Sequence, residues 1–195
     1  MPNALKLYEQ NVQLSEALYG LLHGIEIATR NSIHAALTLS YGQDTWYDTA
    51  PLIPYWQGKV NDAKTKVGTG ATAGKVVAEL TFGFWVDLLK QQNHWSLWVG
   101  RKLHSAFPNA KGCTRKQIHE RLKISQRLRN RISHHERVLT SASTLYTGYG
   151  YLTLAELIEI AEWICTDTAD WIRTRFRYAE ARQLLVNVKA LGFML

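Results

Sequence analysis

Apolar periodicity constrains the fold of this chain more than any other feature of its sequence. Between residues 11 and 40, apolar side chains recur three or four positions apart, which places them on one face of a helix. This face is formed by Leu18, Leu21, Leu22, Ile25, Ala28, Ile33 and Leu37. Stretches in which apolar and polar residues alternate, as strands require, are nearly absent. The sequence therefore predicts an all-α fold, an up-and-down bundle of four to five main helices.

Helix start and stop signals divide the rest of the chain. We predict further helices over residues 73–92, 93–107 and 153–188, and one that is capped by Thr114 and runs to about residue 136. Residues 41–73 contain six Gly and Pro residues and are predicted to form a long loop. Because four aromatic residues also lie in this loop, we expect it to pack against the core. They are Trp46, Tyr47, Tyr55 and Trp56.

The composition is that of one folded domain spanning residues 1–195. Hydrophobic residues make up 46% of the chain and charged residues 20%, which is enough apolar surface for a packed core. No run of about 18 apolar residues occurs, so we expect no membrane span. The first residues lack the basic start and apolar run of a secretory signal. Cys113 and Cys165 show neither a disulfide framework nor a metal-ligand spacing, so we expect two unpaired thiols and a cytoplasmic protein.

Positive charge is concentrated in residues 101–137. This stretch holds eleven Lys and Arg residues against Glu120 and Glu136, a formal charge of +9, while the rest of the chain holds twelve basic and fourteen acidic residues. A basic region of this density is typical of proteins that bind a polyanion, with RNA or DNA as the first candidate. A solvated basic helix without a partner is the alternative. The residues predicted to contact RNA are Arg115, Lys116, Arg121, Lys123, Arg127 and Arg131.

The common nucleotide and metal motifs are incomplete in this sequence. In residues 67–77, Thr69 stands where a Walker A loop has its first glycine, and Val76 stands where the magnesium-binding hydroxyl belongs. Ala73 interrupts the G-x-G-x-x-G pattern, and an HExxH helix is absent. We therefore predict no cofactor and no metal ion.

Three polar side chains remain near the end of the predicted basic helix. Arg129 is followed directly by Asn130, and His134 lies four residues after Asn130, so that the amide and the imidazole share a helix face. The buried stripe of this helix is predicted to be Ile124, Leu128 and Ile132.

These residue types suit the cleavage of RNA without a metal ion. A base removes the proton of the 2′-hydroxyl, an acid protonates the leaving 5′-oxygen, and a fixed positive charge stabilises the crowded phosphate. Imidazole titrates near neutral pH and serves either proton transfer. Guanidinium binds phosphate through a fork of donors, and an amide positions its neighbours by hydrogen bonds. We therefore predict catalytic roles for Arg129, Asn130 and His134.

The spacing of the guanidinium and the imidazole has a consequence for assembly. Arg129 and His134 are five residues apart, and so they lie about 140° apart around a straight helix. Either the long Arg side chain curls over near the helix end, or a second copy of the chain brings a symmetric set alongside. A two-fold interface would pool two Arg and two His residues in one cleft, so we expect a homodimer.

Three blocks of the sequence together resemble the HEPN domains of the Abi-like (abortive infection) family. Arg129-Asn130-x-x-x-His134 is similar to the R-x(4–6)-H signature of these domains. Residues 25–37 resemble a first-helix E-x-x-x-R-N block, and residues 80–89 resemble a block that contains FGFW. The three blocks occur in the order of that family, so the resemblance covers most of the chain.

The resemblance implies an all-α HEPN-type bundle that dimerises with its two motif helices facing one cleft. It implies metal-independent endoribonuclease activity, used in phage defence or as a toxin. Carried over onto this chain, Arg129 and His134 become catalytic, and Asn130 orients them.

Other residues of the three blocks have less specific roles. Either Glu26, Arg30 and Asn31 support the motif helix or line the cleft, or they form a structural ion pair and cap. His135 and Glu136 are possible supporting residues, with packing or RNA contact favoured for His135 because one imidazole per subunit suffices. Burial in the core, rather than stacking on RNA, is expected for Phe82, Phe84 and Trp85.

Two other functions remain open at this point. One is a non-catalytic RNA-binding module that holds a small regulatory RNA, with salt-dependent affinity and no cleavage. The other is one half of a toxin–antitoxin pair, in which the basic face meets an acidic protein.

Overall fold

The computed structural model describes residues 2–100, 102–140, 144–148 and 150–190. Over these ranges the chain is mostly helical, which confirms the predicted all-α class. The α-helices are α1 (Pro2–Tyr41), α2 (Pro54–Val67), α3 (Ala73–Glu79), α4 (Phe82–Asp87), α5 (Lys102–Ala106), α6 (Arg115–Ser133), α7 (Leu154–Ile164), α8 (Thr166–Arg175) and α9 (Tyr178–Ala190). Two short strands, β1 (Leu145–Tyr146) and β2 (Tyr151–Leu152), pair antiparallel with Leu145 opposite Leu152.

The chain forms two compact units. The first unit comprises the described residues of 1–26 and 121–195, and the second comprises those of 27–120. In the first unit, the apolar face of α1 is buried as predicted, and it is joined by apolar residues of α6, α7 and α8. This core includes Leu14, Leu18, Leu21, Leu22, Ile25, Leu122, Leu128, Leu157, Ile158, Ala161 and Ile172.

Two glycines of α1 allow close helix packing in the first unit. A Cβ atom at Gly20 would lie 2.8 Å from Phe176 Cδ1, and one at Gly24 would lie 3.0 Å from Ile172 Cγ1. Both distances are shorter than a van der Waals contact, so only glycine fits without a shift of the neighbouring side chain. Gly20 and Gly24 lower the helix propensity of α1. Because they lack a Cβ atom, they also let α1 pack closely against Phe176 and against Ile172 of α8.

Gly24→Val is expected to lower the free energy of unfolding by about 1–3 kcal/mol, because it forces extra atoms into a filled interface. Gly58→Ala is the matched control, since Gly58 is an exposed position of α2 with no atom near its missing Cβ. There the gain in helix propensity should raise the free energy of unfolding by about 0.5–1 kcal/mol. Urea unfolding of both variants measures these changes, and equal effects of the two substitutions would contradict the packing argument.

Aromatic side chains fill the core of the second unit. Trp46 and Tyr47 lie in a short 3₁₀ turn and are buried. The Trp46 ring packs edge to face against the Trp85 ring, with 6.2 Å between the ring centroids. The Phe84 ring packs against the Trp85 ring in the same way, with 5.0 Å between the centroids. The predicted burial of Phe82, Phe84 and Trp85 is confirmed, because each is at most 1% exposed.

The predicted loop over residues 41–73 is wrong for much of its length, because α2 lies within it. Proline is compatible with the first turn of a helix, where its missing N–H has no intrahelical partner to lose, and Pro54 is the first residue of α2. Gly58 is tolerated in the middle of α2, and Gly68 ends the helix with a φ of 75°. The expected packing of the aromatic residues is confirmed for Trp46, Tyr47 and Trp56, whereas Tyr55 is exposed.

Several predicted helices are divided into shorter ones. Thr81 accepts a hydrogen bond from the backbone N–H of Phe84 and so begins α4, which separates it from α3. Extended residues at Cys165 and Phe176 divide the predicted last helix into α7, α8 and α9. The predicted cap is confirmed, since the Thr114 hydroxyl accepts from the backbone N–H of Gln117 at 3.3 Å.

A neutral imidazole is built into the second unit at His34. Trp46 Nε1 donates a hydrogen bond to His34 Nδ1 at 3.0 Å, which requires that Nδ1 carry no proton. Burial lowers the pKa of His34, while Asp44 acts to raise it and Arg30 to lower it. Protonation in acid would turn Nδ1 into a donor and remove the acceptor for Trp46.

We therefore expect the protein to lose stability as the pH falls below about 6.5, the ordinary pKa of histidine. Below that pH the unfolded chain binds a proton that the folded chain still excludes, so acid favours unfolding, and no such penalty exists well above it. Solvent screens this half-buried group, so the loss should be a fraction of a kcal/mol. Urea midpoints at pH 7.5 and 5.5 test this, and they should differ less in His34→Gln than in the wild type.

Candidate functional site

Helix α6 ends in a Schellman turn centred on His135. The backbone N–H of Glu136 donates to the carbonyl of Arg131 at 2.9 Å, and that of His135 donates to the carbonyl of Ile132 at 3.1 Å. This pair of bonds closes many helices and holds its central residue in the left-handed region. His135 has a φ of 57°, where glycine fits at the lowest cost. The helix therefore stops inside the predicted motif rather than at residue 136.

The Arg129 guanidinium is held by two neighbours in the first unit. Its Nε lies 3.3 Å from Glu26 Oε2, its Nη2 donates to Glu26 Oε1 at 3.4 Å, and its Nη1 donates to Asn130 Oδ1 at 3.3 Å. The Arg129 side chain is 37% exposed and that of Glu26 is 19% exposed. Because solvent screens a pair of this exposure, it stabilises the fold by at most about 1 kcal/mol. Its main effect is to fix the direction of the guanidinium.

Asn130 and His134 lie exposed at the end of α6. The backbone N–H of His134 donates to the carbonyl of Asn130 at 2.9 Å, so His134 stands one helical turn later. Among the described residues, no hydrogen bond joins the His134 imidazole to Arg129 or Asn130. The structure thus brings Arg129, Asn130 and Glu26 into contact and leaves His134 in solvent one turn away.

The buried stripe of α6 differs from the predicted one. Leu128 and Ile132 are buried as expected, but Ile124 is only half-buried. Ser125 takes the place of Ile124 in the interior. The helix is therefore rotated so that Arg129, one residue after Leu128, lies at the border of its buried face.

Arg121 has partners within the first unit. Its guanidinium lies 3.2 Å from the Glu156 carboxylate and 2.9 Å from that of Glu159, and it sits over the Trp163 ring. Burial alone would raise the pKa of Glu156, but hydrogen bonds from the Thr153 N–H and hydroxyl, together with Arg121, hold that pKa below its usual value. Arg121 thus ties α6 to α7, a role separate from its predicted contact with RNA.

Arg131 also has partners within the first unit. Its Nη1 lies 2.7 Å from Glu136 Oε2, and its Nε and Nη2 donate to the Arg137 carbonyl at 3.1 and 2.9 Å. The guanidinium lies over the Tyr146 ring at 4.8 Å. Arg131 and Glu136 therefore stabilise the turn that follows α6.

The other residues predicted to bind RNA are distributed over both units. In the second unit, Arg115 donates to the Leu89 carbonyl, and the Lys116 side chain is 76% exposed. In the first unit, Lys123 Nζ donates to Gln126 Oε1 at 2.9 Å, and Arg127 is half-buried.

The two polar residues of the first-helix block that follow Glu26 lie in the second unit. Arg30 Nε donates to Asn31 Oδ1 at 3.2 Å. Arg129 also donates to the Asn that follows it, but through Nη1 rather than Nε.

A groove of about 500 Å³ lies beside the end of α6 in the first unit. Its walls include Tyr8, Asn11, Ser15, Glu16 and Tyr19 of α1, together with His135. Most of this surface lies before Leu18, where the predicted apolar face of α1 begins, so that face does not indicate the groove. The signal that would have found it is the recurrence of Tyr8, Ser15 and Tyr19 at helical spacing on a second face of α1.

Asn11 connects the groove to the chain that leaves α6. Its Oδ1 accepts hydrogen bonds from the backbone N–H groups of Val138 at 2.8 Å and Leu139 at 3.2 Å. These bonds hold the segment after the Schellman turn against α1, so the position of His135 at the groove is fixed from both sides.

The described residues show neither a metal centre nor a membrane helix. No group of three or more His, Cys, Asp or Glu side chains within them is arranged to hold a metal ion. None of their helices is both long and apolar enough to cross a bilayer. Cys113 and Cys165 are free thiols.

Comparisons with known proteins leave the family of this chain undefined. No protein-family model matches it, and the comparisons with curated proteins and with solved structures give no significant match. The resemblance to Abi-like HEPN domains therefore stays a prediction that rests on the three sequence blocks.

Proposed function

We propose that this protein is a metal-independent endoribonuclease of a phage-defence or toxin system, with Arg129, Asn130 and His134 at its site. The observation that carries the proposal is the exposed end of α6, where Glu26 and Asn130 hold the Arg129 guanidinium one helical turn before an exposed imidazole. The resemblance to HEPN domains supports the same assignment.

The Arg129 guanidinium retains the capacity to bind a phosphate. A guanidinium has five N–H donors, and the hydrogen bonds to Glu26 and Asn130 use two of them, while Nε lies 3.3 Å from Glu26 Oε2 in an ion pair. The remaining donors are available to the non-bridging oxygens, which carry the negative charge that grows during the reaction. Glu26 is a positioning residue in this proposal because it acts through Arg129.

The reaction breaks the bond between phosphorus and the 5′-oxygen. A base takes the proton of the 2′-hydroxyl, the 2′-oxygen attacks phosphorus, and an acid gives a proton to the departing 5′-oxygen. The products are a 2′,3′-cyclic phosphate and a 5′-hydroxyl. His134 serves one proton transfer, and His134 of a second copy serves the other in a homodimer whose two sites share one cleft.

RNA cleavage in the presence of EDTA tests the proposed function. The wild-type protein is expected to cut a single-stranded RNA of about 20 nucleotides and to leave cyclic phosphate ends. A substrate with 2′-deoxyribose throughout should remain intact, because it lacks the nucleophile. RNA that binds with salt-dependent affinity but is never cut would contradict the proposal and favour a non-catalytic RNA-binding module.

A further inference from the structure

The groove beside α6 exposes aromatic surface that the fold does not use. Tyr8 is 66% exposed and Tyr19 is 60% exposed. Both are large aromatic residues of α1, and their rings lie open to solvent rather than in the core. They are eleven residues apart on α1, which separates them by about 16 Å along one side of the helix. The two rings therefore cannot sandwich a single planar group, and each offers its own stacking surface.

The groove also carries polar groups beside its aromatic rings. Glu16 lies three residues before Tyr19, so its carboxylate is a neighbour of that ring on the helix surface. Arg177 approaches this carboxylate to 3.7 Å. This pair is exposed and therefore weak, so a better-matched donor can replace Arg177.

His135 contributes an imidazole to the groove at an energetic cost. It is the one residue other than glycine with positive φ among the residues that the structure describes. Glycine would close the same Schellman turn without that cost. Strained backbone of this kind is often found at sites where the side chain contacts a ligand.

We propose that this groove binds unstacked bases of a single RNA strand and that it prefers guanine, which stacks on Tyr19 with its donor edge on Glu16. The inference rests on the proposed ribonuclease function for its ligand class. Stacking on aromatic rings is how proteins hold single-stranded bases, because every base has a π face.

The preference for guanine follows from the hydrogen-bonding capacity of a carboxylate. Ionised Glu16 has two acceptor oxygens and no donor. Guanine presents two adjacent donors, its N1–H and its amino group, on the edge that faces away from the sugar. Adenine, cytosine and uracil each place an acceptor next to their donor on that edge, and this acceptor would repel the carboxylate.

Binding of mononucleotides to the full chain tests this inference without any cleavage. Titration with GMP, AMP, CMP and UMP, followed by NMR, is expected to show GMP binding at least about tenfold more tightly than AMP, since two charge-assisted hydrogen bonds are gained. Glu16→Gln should weaken GMP binding and strengthen AMP binding, because it replaces the carboxylate that repels the adenine acceptor with an amide that has both a donor and an acceptor. Tyr19→Ala should weaken GMP binding about fivefold to 140-fold, while Tyr19→Phe retains the affinity.

Two further variants separate binding from structure. Tyr151→Ala is the matched control, because Tyr151 is exposed on β2 and does not line the groove, and it should leave GMP affinity unchanged. His135→Gly should raise the melting temperature by removing backbone strain, yet weaken GMP binding. A raised melting temperature with unchanged affinity would show that the His135 side chain does not contact the bound nucleotide.

Other outcomes distinguish this inference from the proposed function. Equal binding of the four mononucleotides, or GMP affinity that does not respond to Tyr19→Ala, would overturn the base subsite. Sedimentation offers another contrary result, in which Tyr19→Ala converts a dimer to a monomer and leaves GMP affinity unchanged. The groove would then be covered by a second copy of the chain, and the base subsite would be wrong. Selective GMP binding without RNA cleavage would refute the ribonuclease and keep the subsite, and cleavage without selective binding would do the reverse.

Discussion

Arg129→Ala and His134→Ala are each expected to lower the rate of RNA cleavage about 10²- to 10⁴-fold. Removing a positioned acid or base costs a rate factor of this size, and so does removing a donor to the developing phosphate charge. Arg129→Lys should remain strongly impaired, because a point charge does not replace the forked donors that contact Glu26 and Asn130. Single-turnover cleavage of one labelled RNA in EDTA measures all three variants.

Because the candidate site is exposed, Arg129→Ala and His134→Ala should change RNA cleavage without unfolding the protein. His134 lies in solvent, and the pair formed by Arg129 and Glu26 is partly exposed, so neither alanine variant should cost more than about 1 kcal/mol of stability. His23→Ala removes an exposed imidazole from α1 in the same unit and should cleave like the wild type. If Arg129→Ala and His134→Ala also cleave like the wild type, the catalytic assignment is wrong.

The helical class was predictable because burial of α1 follows directly from its spacing. Leu18, Leu21 and Leu22 are apolar at helical intervals and all lie in the interior. The divisions between helices were not predictable from periodicity, because they depend on single residues. The Thr81 hydroxyl begins α4 inside a continuous apolar pattern, and extended backbone at Cys165 ends α7 inside a segment predicted to be one helix.

Helix α2 was not predicted because it contains a proline and a glycine, which are also typical of loops. Pro54 and Gly58 indicate a loop when they are counted, yet proline suits a first helical turn and one glycine costs only about 1 kcal/mol. The deciding feature is the face formed by Trp56, Val60 and Ala63, which is buried. That face spans only eight residues, which is a weaker signal than the six Gly and Pro residues of the predicted loop.

The candidate site was only partly predictable. The positions of basic residues along the sequence do not show which of them form ion pairs with carboxylates of the same chain. Arg121 and Arg131 belong to the basic stretch, but carboxylates of Glu156, Glu159 and Glu136 hold them in place. The contact between Arg129 and Glu26 joins residues 103 positions apart. The blocks that resemble HEPN domains named both residues, but the sequence alone left open whether they meet.

Trp85→Ala should produce the largest loss of stability, about 3–5 kcal/mol in the free energy of unfolding. The Trp85 side chain is fully buried, and its ring contacts those of Trp46 and Phe84 edge to face. Its indole N–H donates to the Leu80 carbonyl at 3.3 Å, so alanine leaves both a cavity and a buried acceptor without that donor. Urea unfolding followed by circular dichroism measures the change.

A domain is stable by only about 5–15 kcal/mol, so the loss expected for Trp85→Ala is a large part of the stability of the protein. Trp85→Phe keeps most of the ring and should lose a smaller amount, so it reports on the same contacts even where the alanine variant fails to fold. Trp95→Ala is the matched control, because Trp95 is 79% exposed in the same unit, and its loss should be within about 0.5 kcal/mol. Comparable losses for Trp85→Ala and Trp95→Ala would mean that the aromatic cluster does not stabilise the second unit.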